Sequence, residues 1–253
     1  MNFWSLGFKV CSFLISLVLF SDDSSNIPFK VGEKLEYSLS WGFFPVGSAI
    51  LEVKPKVVLD DELCYVFNFS VRTNSFADAF YKVRTSIQSY VKNDFSKSIL
   101  YKKLQSEGKT KRNVKVNFNY QNRIANYYLS GKKISSVPIP DSVFDPLAIA
   151  YLFRIADLSS NNSQSIPTSD GKRFSKLKIS MGKKKKIIVP AGRFYAIETI
   201  PEMKNLRGVF NKSQDGVLKV WYTTDFKRIP VKITSKVIVG SFNAELVKIS
   251  TVN

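Results

Sequence analysis

The chain has 253 residues, 44% hydrophobic and 13% aromatic, enough to bury a sizeable core in one large β domain or two small ones. It has no histidine, which excludes Ser-His-Asp and Cys-His nucleophilic sites, His-based zinc sites and His general bases. Lys and Arg number 38 against 20 Asp and Glu, a formal charge of +18, which would attract nucleic acid, anionic lipid headgroups or acidic polymer.

At the N-terminus, Lys9 precedes an apolar run from Val10 to Phe20, and the sequence then turns abruptly polar in SDDSS. The run is too short for a bilayer, which takes ~20 apolar residues. It predicts a secretory signal peptide over residues 1–21, with an uncleaved anchor as the alternative because Leu19 and Ser21 make a weak small-x-small cleavage site. Cys11 lies inside the run and not at its end, which argues against a lipoprotein anchor. Without that segment Cys64 stands alone, so no intramolecular disulfide can form and the core must hold an exported chain together. Cys64 sits in the alternating ELCYVFNFSV, which predicts a small buried side chain. No metal site can be built from Cys and His, and no cofactor is expected.

From residue 27 to 253 the pattern is that of a single β domain. Leu35, Tyr37, Leu39 and Trp41 alternate with Glu36, Ser38 and Ser40; Tyr65, Phe67, Phe69 and Val71 form a second series; Val114, Val116, Phe118 and Tyr120 form a third. Further strands are expected at 47–58, 81–91, 97–106, 123–130, 173–181, 185–190, 193–200, 217–223, 229–238 and 240–250. Short turns such as KNDFS, SGKK and SQDG separate many of them. The spacing favours an antiparallel meander closing into an open barrel or strongly curved sheet, not βαβ units. In SWGFFPVGSAILEV, Gly42, Pro45 and Gly47 are expected to form a hairpin turn that carries Trp41, Phe43 and Phe44 either as an end cap or as the lining of an apolar pocket.

One segment breaks the rhythm. In DSVFDPLAIAYLFRIADLSS, Asp145 before Pro146 is an N-cap followed by the residue favoured at the first helical position, and it predicts a helix over 146–156. Apolar residues cover nearly its whole circumference, so the helix should be buried against the sheet. Arg154 is the exception and needs a partner, for which Asp225 and Glu245 are the candidates. The alternative is an arginine that grips a ligand. The Ser- and Asn-rich stretch 158–171 reads as a boundary or mobile loop, and Lys183–Lys186 as the polar tip of a hairpin after Gly182.

The order of these segments resembles an exported bacterial family, domain of unknown function 3108. Its opening is matched by Phe29, Gly32, Glu33, Tyr37, Trp41 and Gly47; its central helix by Asp145, Pro146 and Arg154; its C-terminal half by Pro190, Gly192, Trp221, Asp225, Pro230, Gly240 and Glu245. The resemblance runs from about residue 28 to the C-terminus and implies a mostly β protein, exported to the periplasm of a Gram-negative bacterium. It implies no activity, and no catalytic residue follows from it.

Four functions compete. The first is a non-enzymatic envelope protein that holds a lipid or acyl chain on the concave face of the sheet, with Trp41, Phe43, Phe44 and Arg154 as candidate ligand contacts. The second is a structural or envelope-assembly protein whose basic exterior meets anionic lipid or cell-wall polymer. A carboxylate-dependent hydrolase using Asp225 and Glu245 is a third reading, although these residues suit an ion pair with Arg154 better. Nucleic-acid binding through basic and aromatic residues conflicts with a secretion signal, so no nucleic acid is expected. The oligomeric state is left open.

Overall fold

A computed structural model describes residues 27–156, 164–202, 218–236 and 241–251; the expected signal peptide lies outside them. The described residues form fourteen strands, β1 (Glu33–Trp41), β2 (Phe44–Leu59), β3 (Glu62–Thr73), β4 (Val83–Lys92), β5 (Ser98–Glu107), β6 (Thr110–Asn119), β7 (Ile124–Leu129), β8 (Lys132–Pro138), β9 (Gln164–Ser169), β10 (Phe174–Val189), β11 (Gly192–Pro201), β12 (Leu218–Thr223), β13 (Pro230–Lys236) and β14 (Ser241–Thr251), all in one antiparallel sheet. Its order, β8-β7-β6-β5-β4-β3-β2-β1-β14-β13-β12-β11-β10-β9, is a meander in which β1 pairs with the last strand, and among the described residues no ladder joins the outer edges of β8 and β9. The described residues also form two helices, α1 (Ser75–Asp78) and α2 (Ala148–Ile155).

Side chains of alternate residues point to one face of a strand, which explains why the series of β1 and β3 emerge in one cluster and that of β6 in a second. Leu35 and Tyr37 of β1, Leu51 and Val53 of β2, Phe67 of β3, Ile179 of β10 and Leu246 of β14 are buried together with α2. Tyr151 of α2 stacks on Phe67 with ring centroids 3.7 Å apart, and Phe29 meets Tyr65, Phe67, Phe95 and Tyr151 edge-on. Such pairs contribute about 0.5–1.5 kcal/mol each beyond their buried area. A second cluster, with Tyr101, Val116, Phe118 and Tyr127, fills the space under β5–β7.

The chain between β8 and α2 bridges the open sheet. Ser98 N–H donates to Val143 O (2.9 Å), Phe144 N–H to Pro167 O (2.9 Å), and Ser169 N–H to Phe144 O (3.0 Å), linking the start of β5 to β9. The β9–β10 turn then rests on the far wall: Gly171 lies against Val116 of β6, and Lys172 Nζ sits 4.5 Å from the Tyr127 ring centroid of β7. The open, barrel-like architecture with a buried helix is as the sequence predicts.

Three local readings change. Residues 164–169, expected within a loop, form edge strand β9; Pro167 is tolerated because the edge requires no N–H there, and its carbonyl takes Phe144. The Lys183–Lys186 run is not a hairpin tip but part of a continuous β10, which passes it by a bulge between Met181 and Lys184. The β1–β2 turn consists of Gly42 and Phe43 alone, Gly42 at φ +56°, while Pro45 and Gly47 lie inside β2. A Cβ on Gly47 would stand 2.2 Å from Arg72 O, so glycine there permits close approach to β3.

Candidate functional site

Along β1, β3, β13 and β14 the core-facing series continues past the reach of α2. Leu39 follows Tyr37, Val71 follows Phe67 and Phe69, Ile233 follows Val231, and Ala244 and Phe242 precede Leu246. Leu39, Val71, Ile233, Ala244 and Phe242, with Val83 of β4, border a cavity of about 250 Å³ that opens at the β1–β2 end of the sheet and is lined by no residue of α1 or α2. Its lining is almost wholly apolar; Thr73, Ser235 and Asn243 supply the polar groups. Apolar cavities of ~150 Å³ stay dry and take up small hydrocarbons, whereas drug-sized ligands occupy about 300–1,000 Å³. A slender apolar group fits this space better than a bulky one.

The rim is built by turns that the backbone ties together. Gly42 N–H donates to Ser241 O (2.9 Å), and Asn74 N–H to Val46 O (2.9 Å), so the β1–β2 turn is held against β14 and α1. Asn74 also caps α1, its side chain accepting from Ala77 N–H (2.9 Å) and donating to Pro45 O (2.7 Å). Trp41 stacks on Phe242 (6.5 Å, 20° between planes). Phe43 is fully exposed, at 101%, and Phe44 stands 63% exposed beside it. Of the residues singled out in the sequence, the three aromatics therefore lie together at the mouth of the cavity, on its rim and not in its lining.

Arg154 lies elsewhere. It is 1% exposed, at the α2 end of the core, and its carboxylate partner is Glu33, not Asp225 or Glu245. The guanidinium donates to both Glu33 oxygens, with Nη2 to Oε2 at 3.0 Å, and also to Pro28 O (3.1 Å) and Lys227 O (3.0 Å). It lies over the Phe29 ring at 5.0 Å. Glu245 instead takes Lys232 (2.6 Å) on neighbouring strands, and Asp225 accepts from Thr223 Oγ1 (2.6 Å) and Arg228 N–H (3.2 Å) within the β12–β13 turn. The expected ion pair exists with a different acid: Glu33 shares the inward parity of Leu35 and Tyr37, which places it under α2. This network fixes the helix and leaves Arg154 away from the cavity.

The helix begins at Ala148 with Leu147 as its N-cap residue, two residues later than Asp145 before Pro146 predicts, yet the Asp145 carboxylate still serves the first turn. Its Oδ1 accepts from Leu147 N–H (2.9 Å) and Ala148 N–H (3.1 Å); its Oδ2 accepts from Ser89 Oγ (2.5 Å) and Ser98 Oγ (2.7 Å). Burial pushes its pKa up, against those four hydrogen bonds. Burial likewise pushes the Cys64 thiol up to about 11, in keeping with a structural side chain. Among the described residues, no group of His, Cys, Asp and Glu could hold a metal ion, and no helix is long and apolar enough to cross a membrane.

The aromatic rim is legible in the sequence as Trp41, Phe43 and Phe44 on one turn, but the lining is not; its signal is the continuation of inward-facing apolar series in β1, β3, β13 and β14 toward that turn. Solved structures place the fold in context. A beta-barrel-like protein of domain of unknown function DUF1849 from Brucella abortus is 11% identical, with TM-score 0.57, covering 88% of this chain and 98% of that one. A Bacteroides fragilis protein with a YmcC-like fold, described as exported (8% identity, TM-score 0.35, 89% and 98% covered), and a Parabacteroides distasonis protein described as a lipoprotein (12%, 0.37, 88% and 97%) are more distant in shape. No curated protein matches the chain in sequence. Residues 36–247 match the family described as protein of unknown function (DUF3108), and the chain belongs to that family.

Proposed function

We propose that the protein is an exported, non-enzymatic envelope protein that holds the end of an acyl chain in the cavity bordered by Leu39, Val71, Ile233 and Phe242. The observation that carries this reading is an apolar cavity of about 250 Å³ among the partly buried ends of the core-facing strands, lined by no residue of α2. Burying apolar surface contributes roughly 25 cal/mol per Å², so a few methylenes inserted here give useful affinity without any polar grip. Arg154 plays no part in binding, because Glu33 and two backbone carbonyls already engage it.

Native mass spectrometry of the protein purified from membrane-containing cells, before and after delipidation, tests the reading. The expected result is a co-purifying acyl species, and a delipidated protein whose melting temperature rises when palmitate is added back. A protein that carries nothing and does not respond to palmitate would overturn it.

A further inference from the structure

The end of the sheet that bears the cavity mouth combines exposed aromatics with cations. Phe43 and Phe44 project from the β1–β2 turn; beside them, held by Asn74, α1 carries Phe76 at 58% exposure and is followed by Phe80 at 79%, their rings 5.5 Å apart edge-on. Single exposed apolar residues are ordinary on a protein surface, but a contiguous set around one opening marks an interaction face. Three exposed lysines stand around it. Lys82 follows Phe80 and Tyr81, Lys109 sits on the β5–β6 turn that Gly108 N–H ties to Lys82 O (2.8 Å), and Lys236 ends β13 beside Phe242. The carboxylate of Asp78 is held by Arg84 (2.6 Å) and that of Glu107, at the end of β5, accepts from Thr85 Oγ1 (2.9 Å), so three lysines and Arg84 stand against two carboxylates and the rim stays positive.

Aromatic rings that sit at headgroup depth, together with lysines that meet anionic phosphates, are the chemistry of an interfacial membrane contact. We infer that this rim docks the protein on an anionic lipid surface, with Phe43, Phe44, Phe76 and Phe80 entering the headgroup layer and Lys82, Lys109 and Lys236 contacting phosphates. Docked this way, the cavity mouth faces the acyl chains, so the inference rests on the acyl-chain reading for its purpose while naming the source of the chain. The β2–β3 turn at Asp60 and Asp61, at the other end of β2 from Phe44, stays in water.

The experiment uses the full chain with Cys11→Ser; Cys64 is buried and stays unlabelled. An environment-sensitive fluorophore is attached at Phe43→Cys or, as the far-end control, at Asp61→Cys, and vesicles of phosphatidylcholine with or without phosphatidylglycerol carry nitroxide-labelled lipid. On anionic vesicles, emission from position 43 should shift to the blue and be quenched by the nitroxide, while position 61 remains water-like. Raising salt from 0.1 M to 1 M shortens the Debye length from about 10 Å to about 3 Å and should reduce the immersion of position 43. The Lys82→Glu, Lys109→Glu, Lys236→Glu variant should lose it. Equal quenching at 43 and 61, a water-like label at 43, or the same immersion on phosphatidylcholine alone would overturn the inference. Because immersion is compared between two positions of a chain with the same N-terminal segment, any anchoring by that segment does not mimic the result. Palmitate binding is measured without vesicles, so a failure of docking and a failure of the acyl-chain reading are told apart.

Discussion

Arg154 of α2 and Glu33 of β1, 121 residues apart in sequence, meet inside the core in a two-pronged ion pair. Removing one partner of such a pair leaves a buried charge alone and costs about 3–5 kcal/mol, whereas replacing both by apolar groups of similar volume is often neutral. Arg154→Met and Glu33→Leu should therefore each destabilise strongly, and the double variant should be more stable than either single one. Urea denaturation of the three variants and the wild type gives the coupling energy. Additive losses would show that the two side chains contribute through packing alone.

Asp145 gives a pH dependence whose sign follows from its raised pKa. Between the unfolded carboxylate value of ~3.9 and the raised native one, the folded state binds a proton that the unfolded state has released, so stability falls as pH rises through that window. Asn at this position keeps an acceptor for Leu147 and Ala148 N–H and carries no charge. The difference in stability between wild type and Asp145→Asn, measured by urea denaturation at several pH values, should move in favour of the Asn variant as pH rises. Asp145→Ala, which abandons the N–H groups of Leu147 and Ala148 and two serine hydroxyls, should be destabilised at every pH by at least the about 1–3 kcal/mol that a single orphaned buried group costs.

How far these features are legible depends on the range of the contacts that make them. Alternation in β1 and β6 is local, and so is the Asp145 carboxylate beside the first turn of α2; these are readable because period and cap chemistry act over a few residues, whereas in β3 Cys64 to Phe67 are all buried and the helix starts only at Ala148. Strand β8 is not foreseen, since an exposed edge strand with residues such as Lys132, Lys133 and Ser136 has little reason to alternate. The need of Arg154 for a partner is visible, but the choice of Glu33 is set by the register of β1 beneath α2. An acid on the inward parity of Leu35 and Tyr37 is the available clue. The cavity is less readable still, because it depends on where α2 stops in three dimensions.

Filling that cavity separates binding from folding. Ala244 borders it on β14, is only partly buried and has Leu39 as its neighbour on β1. Ala244→Leu adds apolar volume into empty space, so it should leave stability within about 1 kcal/mol of wild type and abolish the palmitate-induced rise in melting temperature. Leu39→Ala enlarges the same space and should keep the response while costing about 2–5 kcal/mol of stability at most. Differential scanning fluorimetry with and without palmitate reads both. An unaltered response in Ala244→Leu would place the acyl chain elsewhere.

The contact between Gly171 and Val116 is where the β9–β10 turn closes onto the opposite wall of the sheet. Gly171 has φ +82°, a conformation that L side chains rarely adopt, and an added Cβ would stand 2.7 Å from both methyl carbons of Val116. Gly171→Ala thus combines left-handed backbone strain of about 1–2 kcal/mol with overpacking of about 1–3 kcal/mol. Val116→Ala on its own removes a fully buried side chain and is destabilising. In the double variant the methyl introduced at position 171 enters the space vacated by the valine side chain, so the two losses should sum to less than their separate values, with the backbone strain remaining. A thermodynamic cycle on the four proteins measures this coupling, and strict additivity would mean that the turn does not seat on β6 in solution.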